Sequence, residues 1–139
     1  MKLLIDTNII LDALMARNPW AASAQAVLLA VAEEKVEGCI TASTMADLYF
    51  LLHKHLRDAQ KTKDVLLGLI ASVNILDVNG ADCEKAFSLP MSDYEDALLA
   101  YCGKRHKTDY IVTRNPAHFK GSPVKVIEPD DILKIINKM

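Results

Sequence analysis

Acidic side chains recur in this sequence where apolar, strand-like runs give way to helical patterns. Asp6 directly follows the apolar run Leu3–Ile5, Asp47 lies early in a later helical pattern, and Asp93 and Asp96 open another one. Carboxylates gathered at one edge of a sheet repel one another unless protons or cations neutralise them. Mg²⁺ and Mn²⁺ prefer such oxygen ligands, and they can generate hydroxide and stabilise the leaving oxygen of a phosphodiester. The pattern therefore favours metal-dependent hydrolysis of phosphodiesters.

The position of Asp6 admits two interpretations. In open α/β sheets the ligand binds beyond the carboxyl ends of the strands, so an acid at such an end projects into the expected site. Asp is also a common helix cap, and Thr7 and Asn8 supply further oxygens that can cap the helix that follows. This segment alone favours neither interpretation, and the choice depends on whether other acids converge with Asp6.

The helical pattern after Pro90 contains Asp93 and Asp96, which differ in how well a purely structural role explains them. Ser92 and Glu95 have the spacing of a capping box, which predicts that Glu95 is a cap and not a ligand. Asp93, at the first helical position, is explained equally well by the helix dipole. Asp96 is harder to explain in these ways, because its helical neighbours at three and four residues are another acid and small packing residues. We therefore expect the Asp96 face to turn inward.

Strands and helices alternate along the chain. The predicted strands are 3–5, 38–42, 74–78, 110–113 and 124–127, separated by helical patterns that begin near residues 7, 19, 43, 61, 81, 92 and 129. Such alternation predicts a parallel sheet that is covered on both faces. The predicted fold class is a three-layer α/β/α domain with about four to five strands, spanning residues 1–139.

Composition narrows the class of protein. A length of 139 residues with 51% hydrophobic content suits one domain with a sizeable core. The net charge of -2 provides no global attraction to nucleic acid or membranes, so any polyanion site must be local. Three cysteines without a CxxC pair indicate reduced thiols. The apolar run before Asp6 is too short for a signal peptide, and none approaches the roughly 20 residues of a membrane span, so we expect a cytoplasmic protein.

Three segments taken together resemble the PIN-domain family. They are Leu4-Ile5-Asp6-Thr7-Asn8, Asp96-Ala97-Leu98, and Ile111-Val112-Thr113-Arg114-Asn115 followed by Phe119. Their order and spacing are more specific than any one of them, and the small size resembles VapC-type toxins. The resemblance implies a PIN-like fold and an endoribonuclease that depends on Mg²⁺ or Mn²⁺. It also implies an RNA substrate, a homodimer and a VapB-type antitoxin partner.

The resemblance assigns roles residue by residue. Asp6 and Asp96 match the first and third acids of the family, whereas Asp47 stands where a Glu is usual and reaches one methylene less far. Asn115 stands where many members have an Asp. This implies weak binding of a second metal ion, or one ion acting with Thr113. The implied site contains the catalytic metal ligands Asp6, Asp47 and Asp96, with Asp93 as a further ligand and Thr7, Asn8, Thr113 and Asn115 in support.

Several alternatives bear on these assignments. Asn115 is equally well explained as a cap on the short turn opened by Pro116. A dehalogenase-type phosphatase needs a second Asp where Asn8 stands, and His53 and His55 diverge on a helix, which disfavours zinc. Motifs of serine hydrolases, NTPases and dinucleotide-binding proteins are absent. The departures at positions 47 and 115 leave a catalytically weak PIN-like module that binds RNA or protein as the second hypothesis.

Two surfaces are predicted to make contacts. Basic residues cluster at 54–63 and 104–107, and Arg114 follows a strand end beside the proposed site. Charge runs are usually solvated, so Arg114 is the favoured RNA contact. Trp20 and the Tyr49-Phe50 pair are candidates for contacts with a second copy or an antitoxin, although core positions would suit them equally.

Overall fold

The computed structural model describes residues 1–139, with five parallel strands in one sheet and helices on both faces. The strands are β1 (Lys2–Ile5), β2 (Glu37–Thr41), β3 (Asn74–Leu76), β4 (Tyr110–Val112) and β5 (Val126–Ile127). The helices are α1 (Thr7–Leu14), α2 (Ala21–Ala32), α3 (Ala42–Leu56), α4 (Ala59–Ile70), α5 (Gly80–Ala86), α6 (Tyr94–Arg105) and α7 (Pro129–Asn137), with a 3₁₀ turn at Pro116–Phe119. The predicted α/β/α fold class is confirmed.

The order in which the chain adds strands to the sheet reverses at the central strand, β1. The strand order is β3-β2-β1-β4-β5, so the chain first builds outward from β1 and then crosses back to place β4 on the other side of β1. Leu4 is in register with Cys39 of β2 and Ile111 of β4. A crevice forms at such a reversal, at the carboxyl ends of the two strands. Here these ends belong to β1 and β4, and Asp6 and Thr113 are the residues that follow them.

Alternating side chains of the strands enter two cores on opposite faces of the sheet. Leu3 and Ile5 of β1 belong to the larger core, which contains residues from α1, α2, α3, α4 and α7. Leu4 points to the smaller core, together with Ile111, Leu99 of α6 and residues after β4. Both faces are therefore apolar, which explains why the strands read as short continuous hydrophobic runs and not as alternating ones.

Two predicted helix starts are wrong. Thr41 occupies the N-cap position of α3, so Ser43 is already inside the helix. Asp93 is the N-cap of α6, where its carboxylate accepts a hydrogen bond from the Asp96 backbone N–H at 2.9 Å. Ser92 therefore does not begin a capping box, and Glu95 is free of the capping role that its spacing predicted.

Helix α6 approaches the sheet closely at Gly103. A Cβ atom at this position would lie 2.9 Å from the Thr108 hydroxyl and 3.0 Å from a methyl group of Leu4. Contacts this short leave little room for any side chain larger than hydrogen, so the glycine permits the packing distance. Because Asp96 lies seven residues earlier in the same helix, this packing also helps fix its position relative to β1.

The three cysteines form no disulfide, in agreement with their spacing in the sequence. No helix combines the length and the apolar character that crossing a bilayer requires.

Candidate active site

A cavity of about 580 Å³ opens beside the carboxyl ends of β1 and β4. Most of the predicted site residues line it: Asp6, Thr7, Asn8, Asp47, Asp96, Thr113 and Asn115. Segments that are far apart in the sequence supply them, because the end of β1, the first turns of α3 and α6, and the end of β4 all reach this edge of the sheet. Asp93 and Arg114 are the predicted site residues that do not line the cavity.

Thr113 holds the carboxylate of Asp6 in place. Its hydroxyl donates a hydrogen bond to Asp6 Oδ2 at 2.9 Å and accepts one from the Asn115 backbone N–H at 3.2 Å. The Asp6 backbone N–H donates to the Val112 carbonyl at 3.0 Å, which continues the β1–β4 pairing by one residue. Thr113 is fully buried, so the solvent cannot compete for its hydroxyl. One side chain thus fixes both Asp6 and the backbone at Asn115.

Negative charge is crowded between Asp6 and Asp96. Burial raises the pKa of Asp6 above its ordinary value, against the lowering effect of the Thr113 hydrogen bond. Burial also raises the pKa of Asp96 to about 6, and the charges of Asp93 and Asp6 push it in the same direction while His118 lowers it. The two carboxylates therefore repel each other, and a cation between them would be stabilised for the same reason.

The remaining acids differ in their relation to the cavity. Asp47 is exposed on α3, and Glu95 is exposed in the first turn of α6, yet both line the cavity. Glu95 and His118 were not among the predicted site residues. The signal for Glu95 was its place beside Asp96, which the apparent capping box concealed. His118 lies within the 3₁₀ turn Pro116–Phe119, and no spacing in the sequence could have marked it. Asp93 affects the site indirectly: it caps α6 at the Asp96 backbone N–H, and its charge raises the pKa of Asp96.

The donor set suits a hard divalent cation that remains open to solvent. No three His, Cys, Asp or Glu side chains lie close enough together to enclose an ion. Mg²⁺ commonly binds through only one or two carboxylates and keeps several waters. Asp6 and Asp96 can supply two carboxylates, and Asp47 and Glu95 are available at the cavity wall. The raised pKa of Asp96 supports this fit, because a cation would relieve the repulsion that raises it.

Behind the cavity a buried acid binds two arginines. Asp12, which is fully buried, pairs with Arg17 Nε at 2.8 Å and with Arg114 Nε at 3.2 Å, the second contact lacking hydrogen-bond geometry. The Arg114 guanidinium also lies 3.8 Å from the centroid of the Trp20 ring. Arg17 Nη2 reaches both oxygens of Asn8 at 3.3–3.4 Å. Arg114 therefore has an intramolecular role, and RNA contact by this residue stays a prediction.

A sequence model of the PIN domain matches residues 2–117. The chain belongs to the PIN-domain family. PIN domains are nucleases, which agrees with the carboxylates at the end of β1 and the start of α6. A search of curated protein sequences gives no significant match.

Solved structures share this PIN fold at low sequence identity. A chain of VapBC2 from Rickettsia felis, bound to a promoter DNA fragment, is 17% identical with a TM-score of 0.70 over 92% of this chain and 98% of that chain. A chain of FitAcB from Neisseria gonorrhoeae is 23% identical with a TM-score of 0.64, covering 91% and 97%. PAE2754 from Pyrobaculum aerophilum is 16% identical with a TM-score of 0.69, covering 100% and 97%. These similarities establish the fold of nearly the whole chain.

The raised pKa of Asp96 makes stability depend on pH in a defined direction. Since the folded state holds the proton up to about pH 6 and the unfolded state releases it near 3.8, the carboxylate destabilises the fold above pH 6 and this cost disappears as the pH falls. Asp96→Asn is expected to raise the free energy of unfolding at pH 7 by about 1–2 kcal/mol, after allowing for solvent screening of a partly exposed group. Urea unfolding in EDTA should show this gain at pH 7 and little of it at pH 4. If Asp96→Asn and the wild type differed in unfolding free energy by the same amount at pH 7 and pH 4, a raised pKa of Asp96 would be contradicted.

Proposed function

We propose that this PIN-domain protein is an endoribonuclease that hydrolyses RNA phosphodiester bonds with Mg²⁺ or Mn²⁺. The observation that carries the proposal is the placement of Asp6 and Asp96 in one cavity at the reversal of the sheet, with the pKa of both raised. Such a site has the oxygen ligands for a hard cation, and its lining residues Asp47 and Glu95 are exposed to solvent. A bound cation would activate water as the nucleophile and neutralise charge on the leaving oxygen.

The residues of the chain have separate tasks in this proposal. Asp6 and Asp96 would hold the cation, and Asp47 would complete the acidic wall from α3. Thr113 fixes the orientation of Asp6, so that the ligand does not have to be ordered when the cation binds. Asn115, whose backbone the same hydroxyl holds, offers an uncharged amide where a further carboxylate would have increased the repulsion. Thr7 and Asn8, which follow Asp6 in the chain, also line the cavity.

We also propose that the protein is the toxin of a toxin–antitoxin pair and works in the cytoplasm. VapBC2 and a toxin–antitoxin complex from Klebsiella pneumoniae are among the structures of the same fold. Trp20, Tyr49 and Phe50 are 43%, 44% and 66% exposed, so these large side chains are available to an antitoxin or a second copy. Co-purification of a small partner from the native source would support the pair. A mass corresponding to a monomer at all concentrations would remove the homodimer.

The second hypothesis, a catalytically weak module that binds RNA or protein, has one observation in its favour. Asp47 is exposed, and no third acid lies close enough to Asp6 and Asp96 to bind the same ion, so the site depends on two carboxylates. Incubation of assorted RNAs with the protein in EDTA, Mg²⁺ or Mn²⁺ separates the hypotheses. The nuclease should cleave only with a metal ion and should stop when EDTA is added. Binding without cleavage under every condition would establish the module instead.

A further inference from the structure

A second cavity adjoins the active cavity and carries the opposite charge. It measures about 480 Å³, and its basic lining residues are Arg17, Lys54 and His55. Asn8 and Leu51 line both cavities, so the two share a wall. Four acids line the active cavity, whereas no acid lines this one. A polyanion lying across the shared wall would meet the metal site on one side and positive charge on the other.

Helix α3 connects the two cavities along one face. Asp47, Leu51 and Lys54 are spaced at i, i+4 and i+7 within α3, which places them in one line on the helix surface. Asp47 lies in the active cavity and Lys54 in the basic one, with Leu51 between them. Seven residues of helix rise about 10.5 Å. This length corresponds to about three stacked nucleotides at roughly 3.4 Å each, so one strand can reach both ends.

The basic side chains are available to a ligand in different ways. Lys54 and His55 are exposed, and neither pairs with an acid, in contrast to Arg17. Arg17 is held in place by Asp12 and by its contact with Asn8. Asp12 also pairs with Arg114, so a single buried carboxylate orients two guanidinium groups, of which only Arg17 lines the basic cavity. The cavity thus combines the pre-oriented guanidinium of Arg17 with the exposed, unpaired ammonium group of Lys54.

We propose that this basic cavity binds the phosphate of a nucleotide that flanks the scissile bond, with Arg17 and Lys54 as the principal ligands. The inference rests on the proposed function, because it requires an RNA strand in the active cavity. Phe50, which is 66% exposed and lines the active cavity, provides a flat surface against which a base of that strand can stack. Phosphate binding fixes the register of the strand, while the metal site selects the bond.

Lys54→Gln tests whether the basic cavity binds phosphate, because the Lys54 side chain is exposed and its loss should not affect folding. Binding of a short fluorescent single-stranded RNA is measured by anisotropy in EDTA, over a series of salt concentrations. We expect affinity to fall about threefold to tenfold, and the slope of log affinity against log salt to become shallower by about 0.7. Lys54→Arg should retain most of the affinity. Lys138→Gln, an exposed lysine at the end of α7 that lines neither cavity and lies outside both basic clusters, is the charge-matched control and should leave both quantities unchanged.

Failure of this inference differs from failure of the proposed function. Equal affinities and salt slopes for Lys54→Gln and Lys138→Gln, or an absence of RNA binding by the wild type, would overturn the phosphate subsite even if the protein cleaves RNA. Absence of metal-dependent cleavage would overturn the nuclease but not a measured loss of binding in Lys54→Gln. A poly-glutamate peptide is tested in parallel. If Lys54→Gln weakens binding of the peptide but not of RNA, the cavity serves an acidic protein segment and the subsite is wrong.

Discussion

Asp6→Asn is expected to lower the rate of metal-dependent RNA cleavage by roughly 100-fold or more, since even residues that only orient metal ligands typically contribute 10–100-fold. The substitution keeps the size of the side chain and its acceptor for the Thr113 hydroxyl, and it removes only the ligand charge. Because burial raises the pKa of Asp6, the neutral amide should leave the fold as stable as before or more stable. Loss of activity would therefore come from loss of the ion and not from unfolding.

Asp64→Asn is the matched control for this change. Asp64 lies on the surface of α4, where it accepts a hydrogen bond from Gln60, and it lines neither the active cavity nor the basic one. Its substitution removes the same charge and should leave the cleavage rate within about twofold of the wild type, as expected for a surface change away from the site. An Asp6→Asn enzyme as active as Asp64→Asn would show that the ion is not held at the end of β1.

Asp12→Ala should cause the largest loss of stability. Asp12 is fully buried and faces two arginines, so its removal leaves two guanidinium groups without their common counter-ion. Breaking a buried pair costs about 3–5 kcal/mol, and the partial exposure of both arginines reduces this to roughly 2–4 kcal/mol. The melting temperature should fall by on the order of 10 °C.

Asp131→Ala provides the comparison for an exposed pair. Asp131 lies 3.8 Å from Lys134 on α7 and is more than half exposed, so its loss should cost at most about 0.5 kcal/mol. Equal melting temperatures for the two variants would show that Asp12 contributes no more than a surface acid. Asp12→Ala should also alter the cavity, because Arg17 contacts Asn8 and the charge of Arg114 lowers the pKa of Asp6.

The fold and the principal acids were predictable because their signals are local. The run Leu3–Ile5 ends at Asp6, and a buried parallel strand followed by an acid requires only a few consecutive residues to recognise. Alternation of strands and helices then leaves few sheet topologies, and these bring strand ends together. Asp6, Asp47 and Asp96 were found on one cavity for this reason. Their coordination of a metal ion stays a prediction.

Features that depend on side-chain direction or on distant pairs were not predictable. Ser92 and Asp93 are adjacent and both can cap a helix, so the sequence could not decide between them, and the structure selects Asp93. Arg114 lies next to Thr113, yet successive residues at a strand end point in different directions, and only the fold brings its guanidinium to Asp12 and Trp20. These partners are separated from it by about a hundred residues of sequence, a distance over which spacing carries no information.

Binding of Mn²⁺ to the purified protein, measured by isothermal titration calorimetry at pH 7.5, tests most directly whether the carboxylates at this edge of the sheet hold the ion. The wild type and Asp64→Asn should bind Mn²⁺ with the same affinity. Asp6→Asn and Asp96→Asn should each bind it at least about tenfold more weakly, because each removes one of two ligand charges. Unchanged Mn²⁺ affinity in both site variants would contradict a metal centre formed by Asp6 and Asp96.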